Sequence, residues 1–242
     1  MPVERPRDRV ERPPDREGDD GVEGDDGPWA AAVESPEPAA TRRHRMVEAL
    51  REAGVRDPRV LTAMDVVPRE RFVADGFDEV AYEDRPLPLH AGATISAPSI
   101  VARMTEALEL TGSERVLEIG TGSGYAAAVL ACCAADVVTL EYDADLACSA
   151  QRALADTGFA AVEVRHADGA LGAPDRAPFD AVAVTAMAPQ PPPALLSQLA
   201  PGGVLVAPVG ADRDGVLVRR RGGRTEELGP VRFVALRGAR AR

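Results

Sequence analysis

A glycine-rich turn between a predicted strand and a predicted helix constrains the fold of this 242-residue chain more than any other feature. A largely apolar run over residues 115–119 is followed by Gly120, Gly122 and Gly124, and an alanine-rich helical segment follows directly. Glycines let a ligand approach the main chain closely, and the helix N-terminus presents free N–H groups to it. The pattern therefore predicts a nucleotide-type cofactor site at the end of a buried strand.

The spacing of the three glycines indicates which cofactor to expect. A dinucleotide-binding turn needs a small residue where this chain has Tyr125, and a phosphate-binding P-loop needs a lysine, which the chain lacks entirely. The remaining pattern, an acidic residue before Gly-x-Gly-x-Gly, resembles the first motif of S-adenosylmethionine-dependent methyltransferases. That resemblance implies S-adenosyl-L-methionine as the cofactor.

Strand and helix patterns alternate along most of the chain, with helices predicted at 144–156 and 192–200. The strands predicted after residues 115–119 lie at 136–141, 161–166, 179–185, 203–209, 216–220 and 231–236. This alternation predicts an α/β fold with a doubly wound, mostly parallel, seven-stranded Rossmann-like sheet. Ligands bind such sheets at the carboxyl ends of the strands.

Composition divides the chain into three parts. Residues 1–40 hold seven prolines, and their twelve acidic residues against five arginines give a net charge of −7 out of −11 for the whole chain. Such a segment is predicted to be a disordered acidic extension. Residues 41–112 are predicted to form helices and a proline-rich loop, with helices at 41–53, at 58–66 and from Pro98 onward. Residues 113–242 are predicted to form the cofactor-binding domain.

Several classes of protein are disfavoured by the same composition. The sequence has no long uncharged apolar run, its first residues lack the hydrophobic core typical of a signal peptide, and residues 41–242 carry a net charge of only −4. We therefore expect a soluble cytoplasmic protein, a monomer, with neither a membrane nor a nucleic acid as its partner. The spacing of Cys132, Cys133 and Cys148 does not match a metal site, so we expect no metal and three buried, reduced thiols.

Acidic residues occur at the carboxyl ends of three successive predicted strands, namely Glu118, Glu141 and Asp168. An acidic side chain at the second strand end can accept hydrogen bonds from both ribose hydroxyls of a cofactor. After the fourth strand, residues 185–189 lack the Asn/Asp-Pro-Pro-aromatic tetrad of amine-directed methyltransferases, which argues against methylation of adenine or amide nitrogen. The absence of a Gly-x-Ser-x-Gly elbow disfavours a hydrolase triad.

The most specific motif is Ala-Thr-Ile-Ser-Ala-Pro at residues 93–98, upstream of the glycine turn. Together with residues 84–89, 101–104, 117–125, 168–169, 195–210 and 232–236, it makes the chain resemble the protein-L-isoaspartate O-methyltransferase family over about residues 46–237. The resemblance implies methylation of L-isoaspartyl carboxylates in damaged proteins or peptides, with residues 41–112 binding the substrate.

The same resemblance assigns individual residues. Ser96 is expected to be the active-site serine beside the substrate carboxylate, flanked by substrate-binding Thr94, Ile95 and Ala97. The cofactor positions are expected at Glu118, Gly120, Gly122, Gly124, Glu141, Asp168 and Gly169. The chain departs from the family pattern at His90, Ala167 and Ala235, which puts substrate preference in question more than methyl transfer.

Two other functions stay open on the sequence. The chain could be a dedicated enzyme that methylates ordinary aspartate in one peptide and so forms a succinimide, although the relatives that do this generally carry a long C-terminal extension. It could also be a non-catalytic cofactor-binding adaptor whose acidic extension recruits a basic partner. A matched pair of isoaspartyl and aspartyl peptides distinguishes the first two functions, and cofactor binding by calorimetry without turnover of an isoaspartyl peptide would favour the third.

Overall fold

The computed structural model describes residues 37–238. The acidic extension predicted to be disordered covers residues 1–40, and residues 1–36 of it lie outside the described part of the chain. The described chain begins with two helices, α1 (Ala39–Glu52) and α2 (Pro58–Val66). Both were predicted, and Asp57 caps α2 as expected, because its Oδ1 accepts a hydrogen bond from the Arg59 amide at 2.8 Å.

A long connection with little regular structure links α2 to the next helix, α3 (Pro98–Ala107). It contains three short 3-10 turns and the strands β1 (Leu87–Pro88) and β2 (Thr94–Ile95). These two strands pair antiparallel, with Leu87 opposite Ile95, and both of these side chains are buried. The pairing turns the connection back on itself, so that the segment before α3 has a defined place beside the main sheet.

The main sheet has seven strands, as predicted. They are β3 (Arg115–Ile119), β4 (Asp136–Glu141), β5 (Glu163–His166), β6 (Phe179–Val184), β7 (Leu199–Val209), β8 (Asp214–Arg221) and β9 (Arg224–Arg232). The spatial order is β5-β4-β3-β6-β7-β8-β9, parallel from β5 to β7 and antiparallel at the last two pairs. The connecting helices are α4 (Tyr125–Cys133), α5 (Ala144–Asp156) and α6 (Pro193–Ser197).

The strand order places a topological switch point beside β3. From β3 the chain moves outward to β4 and β5, and it then returns to β6 on the opposite side of β3. The connections after β3 and β6 therefore diverge and leave a crevice at the carboxyl ends of these two strands. In open α/β sheets that crevice is where ligands bind.

Alternate residues of the central strands enter two separate cores. Val116 of β3 packs with the buried residues of α1 to α4, whereas its neighbour Leu117 packs in the core on the opposite face of the sheet. This is the two-residue period of a strand that is covered on both sides. The N-terminal helices α1 to α3 thus share one core with α4 and the first face of the sheet.

The prediction of a C-terminal hairpin is confirmed, but the predicted position of its second strand is wrong. The second strand is β9, residues 224–232, rather than 231–236, and Gly222 and Gly223 close a tight turn with φ of +55° and +80°. Two consecutive positive φ angles are typical of two-residue hairpin turns. The charged run after the turn resembles a loop in the sequence, but edge strands of sheets commonly carry charges.

The cysteine prediction holds for only one of three thiols. Cys133 is buried, whereas Cys132 and Cys148 are exposed on α4 and α5. An α-helix turns by about 100° from one residue to the next, so adjacent Cys132 and Cys133 point to different sides of α4 and only one of them faces the core. Within residues 37–238, no helix combines the length and the apolar character needed to cross a membrane.

Candidate active site

The glycine turn leaves the carboxyl end of β3 and lies against the end of β6. Gly120 has a φ of +98°, and a Cβ atom on it would lie 2.5 Å from the Thr185 hydroxyl oxygen. That hydroxyl donates a hydrogen bond to the Gly120 carbonyl at 2.7 Å, and the Thr185 amide donates to the Ile119 carbonyl at 2.9 Å. Only glycine meets both the backbone angle and the close approach at this position.

The other side of the turn is held by the end of β4. The Gly120 amide donates to the Leu140 carbonyl at 2.8 Å. The Glu141 carboxylate accepts from the Gly122 amide at 2.9 Å through one oxygen and from the Asp143 amide at 3.0 Å through the other. Each carboxylate oxygen can accept a further hydrogen bond. Glu141 is therefore oriented by the backbone and keeps the capacity to accept from ligand hydroxyls.

Glu118 is an ionisable group within the core, fully buried on β3. Its Oε2 accepts a hydrogen bond from the Thr139 hydroxyl at 2.5 Å, while its Oε1 finds no hydrogen-bond partner among residues 37–238. Burial raises the pKa of Glu118 to about 8, and the nearby negative charge of Glu141 adds to the rise. An unsatisfied buried carboxyl oxygen is costly, so a cation placed against it would be bound favourably.

Two adjoining cavities open at the crevice. The first is lined by Thr94, Ile95 and Ser96 together with Glu118 and the glycine turn. The second is lined by Glu141 and Gly169, by part of the glycine turn and by residues 91–94 and 234–237. Four residues line both cavities, namely Thr94, Gly120, Gly122 and Thr185. The two cavities are therefore neighbouring parts of one cleft on opposite sides of the turn.

The segment containing Ser96 lies over the glycine turn. Ser96 is half-buried between β2 and α3, and the neighbouring Ile95 is buried and so anchors the segment in the core. The segment is held at its far side as well, because the Asp84 carboxylate accepts a hydrogen bond from the Ser99 amide at 2.8 Å. The tertiary structure thus brings the two motifs, about 25 residues apart in sequence, into one cavity wall.

Three of the predicted site residues do not line either cavity in the part of the chain that the structure describes. Ala97 is the N-cap residue of α3, and Gly124 is the N-cap residue of α4, packed against Leu154 of α5. Asp168 caps the short turn 169–171 by accepting from the Ala170 amide at 3.0 Å. Their expected roles in binding stay predictions, as do those of the residues that line the cavities.

Gly169 lies directly against the end of β3. A Cβ atom on Gly169 would be 2.4 Å from the Cγ2 of Ile119, so a larger residue would displace the strand end beside the glycine turn. Gly169 also lines the second cavity with Glu141. Both residues were predicted to contact the cofactor, and the structure places them on one wall.

Several cavity-lining residues were missed by the sequence reasoning. Thr185 is the last residue of the strand predicted at 179–185, so its position at a strand end was a usable signal. Tyr142 directly follows Glu141 and is 43% exposed, which makes it one of few exposed large apolar side chains among the described residues. Others come from distant parts of the chain: residues 91–92 carry no local signal, and residues 234–236 entered the sequence analysis only through the family resemblance.

Comparison with known proteins gives a consistent result over nearly all of the described chain. The sequence model of the Protein-L-isoaspartate(D-aspartate) O-methyltransferase family matches residues 41–241. Protein-L-isoaspartate O-methyltransferase 2 of Pelobacter propionicus is 55% identical over 205 residues, which cover 82% of this chain and 91% of the relative. The Protein-L-isoaspartate O-methyltransferase of Methanoculleus marisnigri is 50% identical over 84% of this chain and 94% of its own length.

Two solved structures are similar in fold. A protein-L-isoaspartate O-methyltransferase superposes with a TM-score of 0.73 at 27% identity and covers 81% of this chain, which itself spans 66% of that longer chain. A Plasmodium falciparum protein, described as a protein-L-isoaspartate O-methyltransferase in complex with S-adenosyl-L-homocysteine, gives a TM-score of 0.69 at 26% identity. The match covers 81% of this chain and 98% of that protein.

Proposed function

Because the chain belongs to the protein-L-isoaspartate(D-aspartate) O-methyltransferase family, we propose that it methylates the free carboxylate of L-isoaspartyl residues in damaged proteins and peptides. S-adenosyl-L-methionine is the methyl donor in this proposal. The observation that carries it is the juxtaposition of Ser96 and the glycine turn in one cavity wall. The general methyltransferase fold requires the turn but does not require the Thr-Ile-Ser segment.

The residues present fit the cofactor. Gly120 and Gly122 give close access to the main chain between the two cavities, and the buried Oε1 of Glu118 is an acceptor without a partner among residues 37–238. We expect Glu118 to face the ammonium group and Glu141 to accept from the ribose hydroxyls. Bound there, the cofactor would supply an electrophilic methyl group on a sulfonium centre.

The chemistry needs no general base. The attacking group is the isoaspartyl carboxylate, whose pKa of roughly 4 leaves it ionised and nucleophilic at neutral pH. The task of the protein is to align this carboxylate with the methyl group and to exclude water, which is a proximity effect worth up to roughly 7–11 kcal/mol in favourable cases. In this mechanism the Ser96 hydroxyl donates a hydrogen bond to the carboxylate and holds it in the attacking geometry.

The consequence for the substrate follows from ester chemistry. Methylation replaces the carboxylate oxygen anion with a methyl ester, which is a much better acyl electrophile. The amide nitrogen of the following residue then attacks the ester carbonyl and expels methanol, so a succinimide forms without further action by the protein. Hydrolysis of the succinimide returns part of the material to ordinary aspartate, which constitutes repair.

A matched pair of peptides that differ only in one isoaspartyl or aspartyl linkage tests the proposed function. The protein and S-adenosylmethionine should convert the isoaspartyl peptide to its methyl ester, detected by mass spectrometry, and leave the aspartyl peptide unmodified. Methyl ester on the aspartyl peptide alone would instead indicate a dedicated peptide-modifying enzyme. Cofactor binding by calorimetry without turnover of either peptide would indicate a non-catalytic adaptor.

Other expectations from the sequence remain predictions of this proposal. A cytoplasmic monomer is tested by cell fractionation and by sedimentation equilibrium. The division into an acidic extension, a substrate-binding part and a cofactor-binding domain is tested by limited proteolysis with and without S-adenosylhomocysteine. We expect the first cleavage within residues 1–40, and protection by the ligand to be confined to later sites.

A further inference from the structure

The wall of the second cavity includes a segment from the end of the described chain. Residues 234–237 line it opposite Glu141, and residue 238 continues beyond them; we name residues 234–238 the C-terminal strap. The strap follows β9 and crosses the carboxyl end of β6. In the sequence, residues 232–236 contribute to the family resemblance and Ala235 departs from it, but no role is predicted there for Arg237.

The first half of the strap is held by the main chain. The Met187 amide donates to the Val234 carbonyl at 2.8 Å, and the Leu236 amide donates to the Met187 carbonyl at 2.7 Å. These bonds form a short parallel bridge in which Met187 pairs with Ala235. The strap therefore starts from a fixed point on the sheet, directly after the strand end that carries Thr185.

The second half of the strap reaches the opposite side of the cavity through one side chain. The Arg237 guanidinium lies over the ring of Tyr142, 5.3 Å from its centroid, and its Nη1 lies 3.6 Å from Oδ2 of Asp143. Tyr142 and Asp143 directly follow Glu141 on the other wall. Beyond Arg237, the Gly238 backbone packs so closely on Asp168 that a Cβ atom would lie 2.2 Å from its Oδ1.

Asp143 is a suitable anchor for such a contact. It caps α5, where its carboxylate accepts hydrogen bonds from the Leu146 and Asp145 amides. These bonds hold the pKa of Asp143 below its ordinary value, and the positive charge of Arg237 acts in the same direction. The carboxylate is thus held in place at the start of α5.

We propose that Arg237 is a positioning residue that fastens the C-terminal strap across the cofactor cleft and slows the release of a bound S-adenosyl ligand. The inference rests on the proposed function, because it takes the second cavity as the cofactor site. Arg237 joins the strap, which is bonded to Met187, to the Tyr142–Asp143 pair at the start of α5. Opening the strap requires loss of both the ring contact and the ion pair.

The test compares release of S-adenosylhomocysteine from the wild-type protein and from the Arg237→Ala variant, by chase of the radiolabelled ligand. The contacts that are lost are one partly exposed cation–π contact and one surface ion pair, so we expect release to become roughly three- to tenfold faster. The Asp143→Asn variant keeps a helix-capping side chain and removes only the charge, so it should give a smaller increase.

The same proposal predicts that the two changes are coupled. The double variant should release the ligand no faster than Arg237→Ala alone, because both single changes break the same ion pair. Raising the salt concentration should accelerate release from the wild type and have less effect on either variant. Independent, multiplying effects of the two substitutions would contradict the proposal.

The matched control is Arg232→Ala. Arg232 is also near the end of the chain and also lies 3.6 Å from an aspartate, Asp214, but it lines neither cavity. It should leave ligand release unchanged. Equal acceleration by both arginine variants, or unchanged release in Arg237→Ala, would overturn the role of Arg237. Failure of the wild type to bind S-adenosylhomocysteine would instead refute the proposed function itself.

Discussion

The buried carboxyl group of Glu118 makes a prediction about the pH dependence of stability. Its folded-state pKa of about 8 lies above the ordinary value of 4.5 because the charged form is buried. Between these two pH values the folded protein holds a proton that the unfolded chain has released. Stability from this group is therefore present at low pH and is lost as the pH rises towards 8.

The size of this pH-dependent loss of stability follows from the difference between the pKa values of Glu118 in the folded and unfolded states. Each pH unit within that window changes the free energy of unfolding by about 1.4 kcal/mol, so the loss between pH 5 and pH 9 is about 4 kcal/mol. The Glu118→Gln variant replaces the carboxyl with an amide that stays neutral over the same range. Its own cost is the imperfect pairing of the amide beside Thr139, roughly 1–3 kcal/mol, and this cost does not depend on pH.

The measurement is urea unfolding followed by circular dichroism at pH 5 and pH 9 for both proteins. The free-energy difference between them should shift in favour of Glu118→Gln by about 4 kcal/mol on going to pH 9. Other titrating groups cancel because they are common to both proteins. Parallel pH profiles, or a shift in favour of the wild type, would refute the assignment of Glu118 as a buried acid with a raised pKa.

A bound cation should favour the ionised form of Glu118, which burial disfavours. If the ammonium of the ligand lies against Glu118, binding stabilises the ionised carboxylate and so displaces its proton below pH 8. The affinity for S-adenosylhomocysteine should then rise with pH in the wild type. In Glu118→Gln the affinity should be lower and should lose this part of its pH dependence, as measured by calorimetry. An identical pH dependence in both proteins would place the ammonium elsewhere.

Three further predictions concern the turn, the serine and a carboxylate distant from the site. Gly120→Ala should destabilise the protein by roughly 1–3 kcal/mol and weaken cofactor binding at least tenfold. The control is Gly158→Ala, because Gly158 has a similar φ of +91° but open space around it, so this variant should lose stability without losing cofactor affinity. Ser96→Ala should lower kcat on the isoaspartyl peptide by roughly 10- to 100-fold with cofactor affinity within twofold of wild type; equal losses in both would contradict a substrate-side role. Glu114 has a pKa lowered to about 2 through hydrogen bonds from the hydroxyl and amide of Thr111 and the amide of Gly112, opposed by burial. Glu114→Gln should therefore cost stability above pH 4.5 and cost progressively less as the pH falls towards 2, with thermal melts as the readout.

Local patterns were sufficient for the elements and for the kind of site. The apolar run before Gly120, the Asp57 cap of α2 and the alternation of strands and helices each report the conformation of a few consecutive residues. Such signals can be read from the sequence because the backbone angles and end groups that they satisfy are local.

The C-terminal hairpin was misplaced because its second strand depends on a non-local contact. Whether a charged run becomes an edge strand depends on the strand beside it, here β8.

The sequence by itself determined the cofactor class, through the glycine spacing, and indicated the reaction, through the Thr-Ile-Ser segment. Only the tertiary structure decided how these parts meet. Glu118 and Glu141 are both acidic strand ends in the sequence. In the structure, Glu118 is buried in the core and its Oε1 has no hydrogen-bond partner among residues 37–238, whereas Glu141 lies at the cleft and is oriented by two backbone amides. Arg237 and Asp143 become neighbours because the segment after β9 pairs with Met187 beside the end of β6, which no local pattern records.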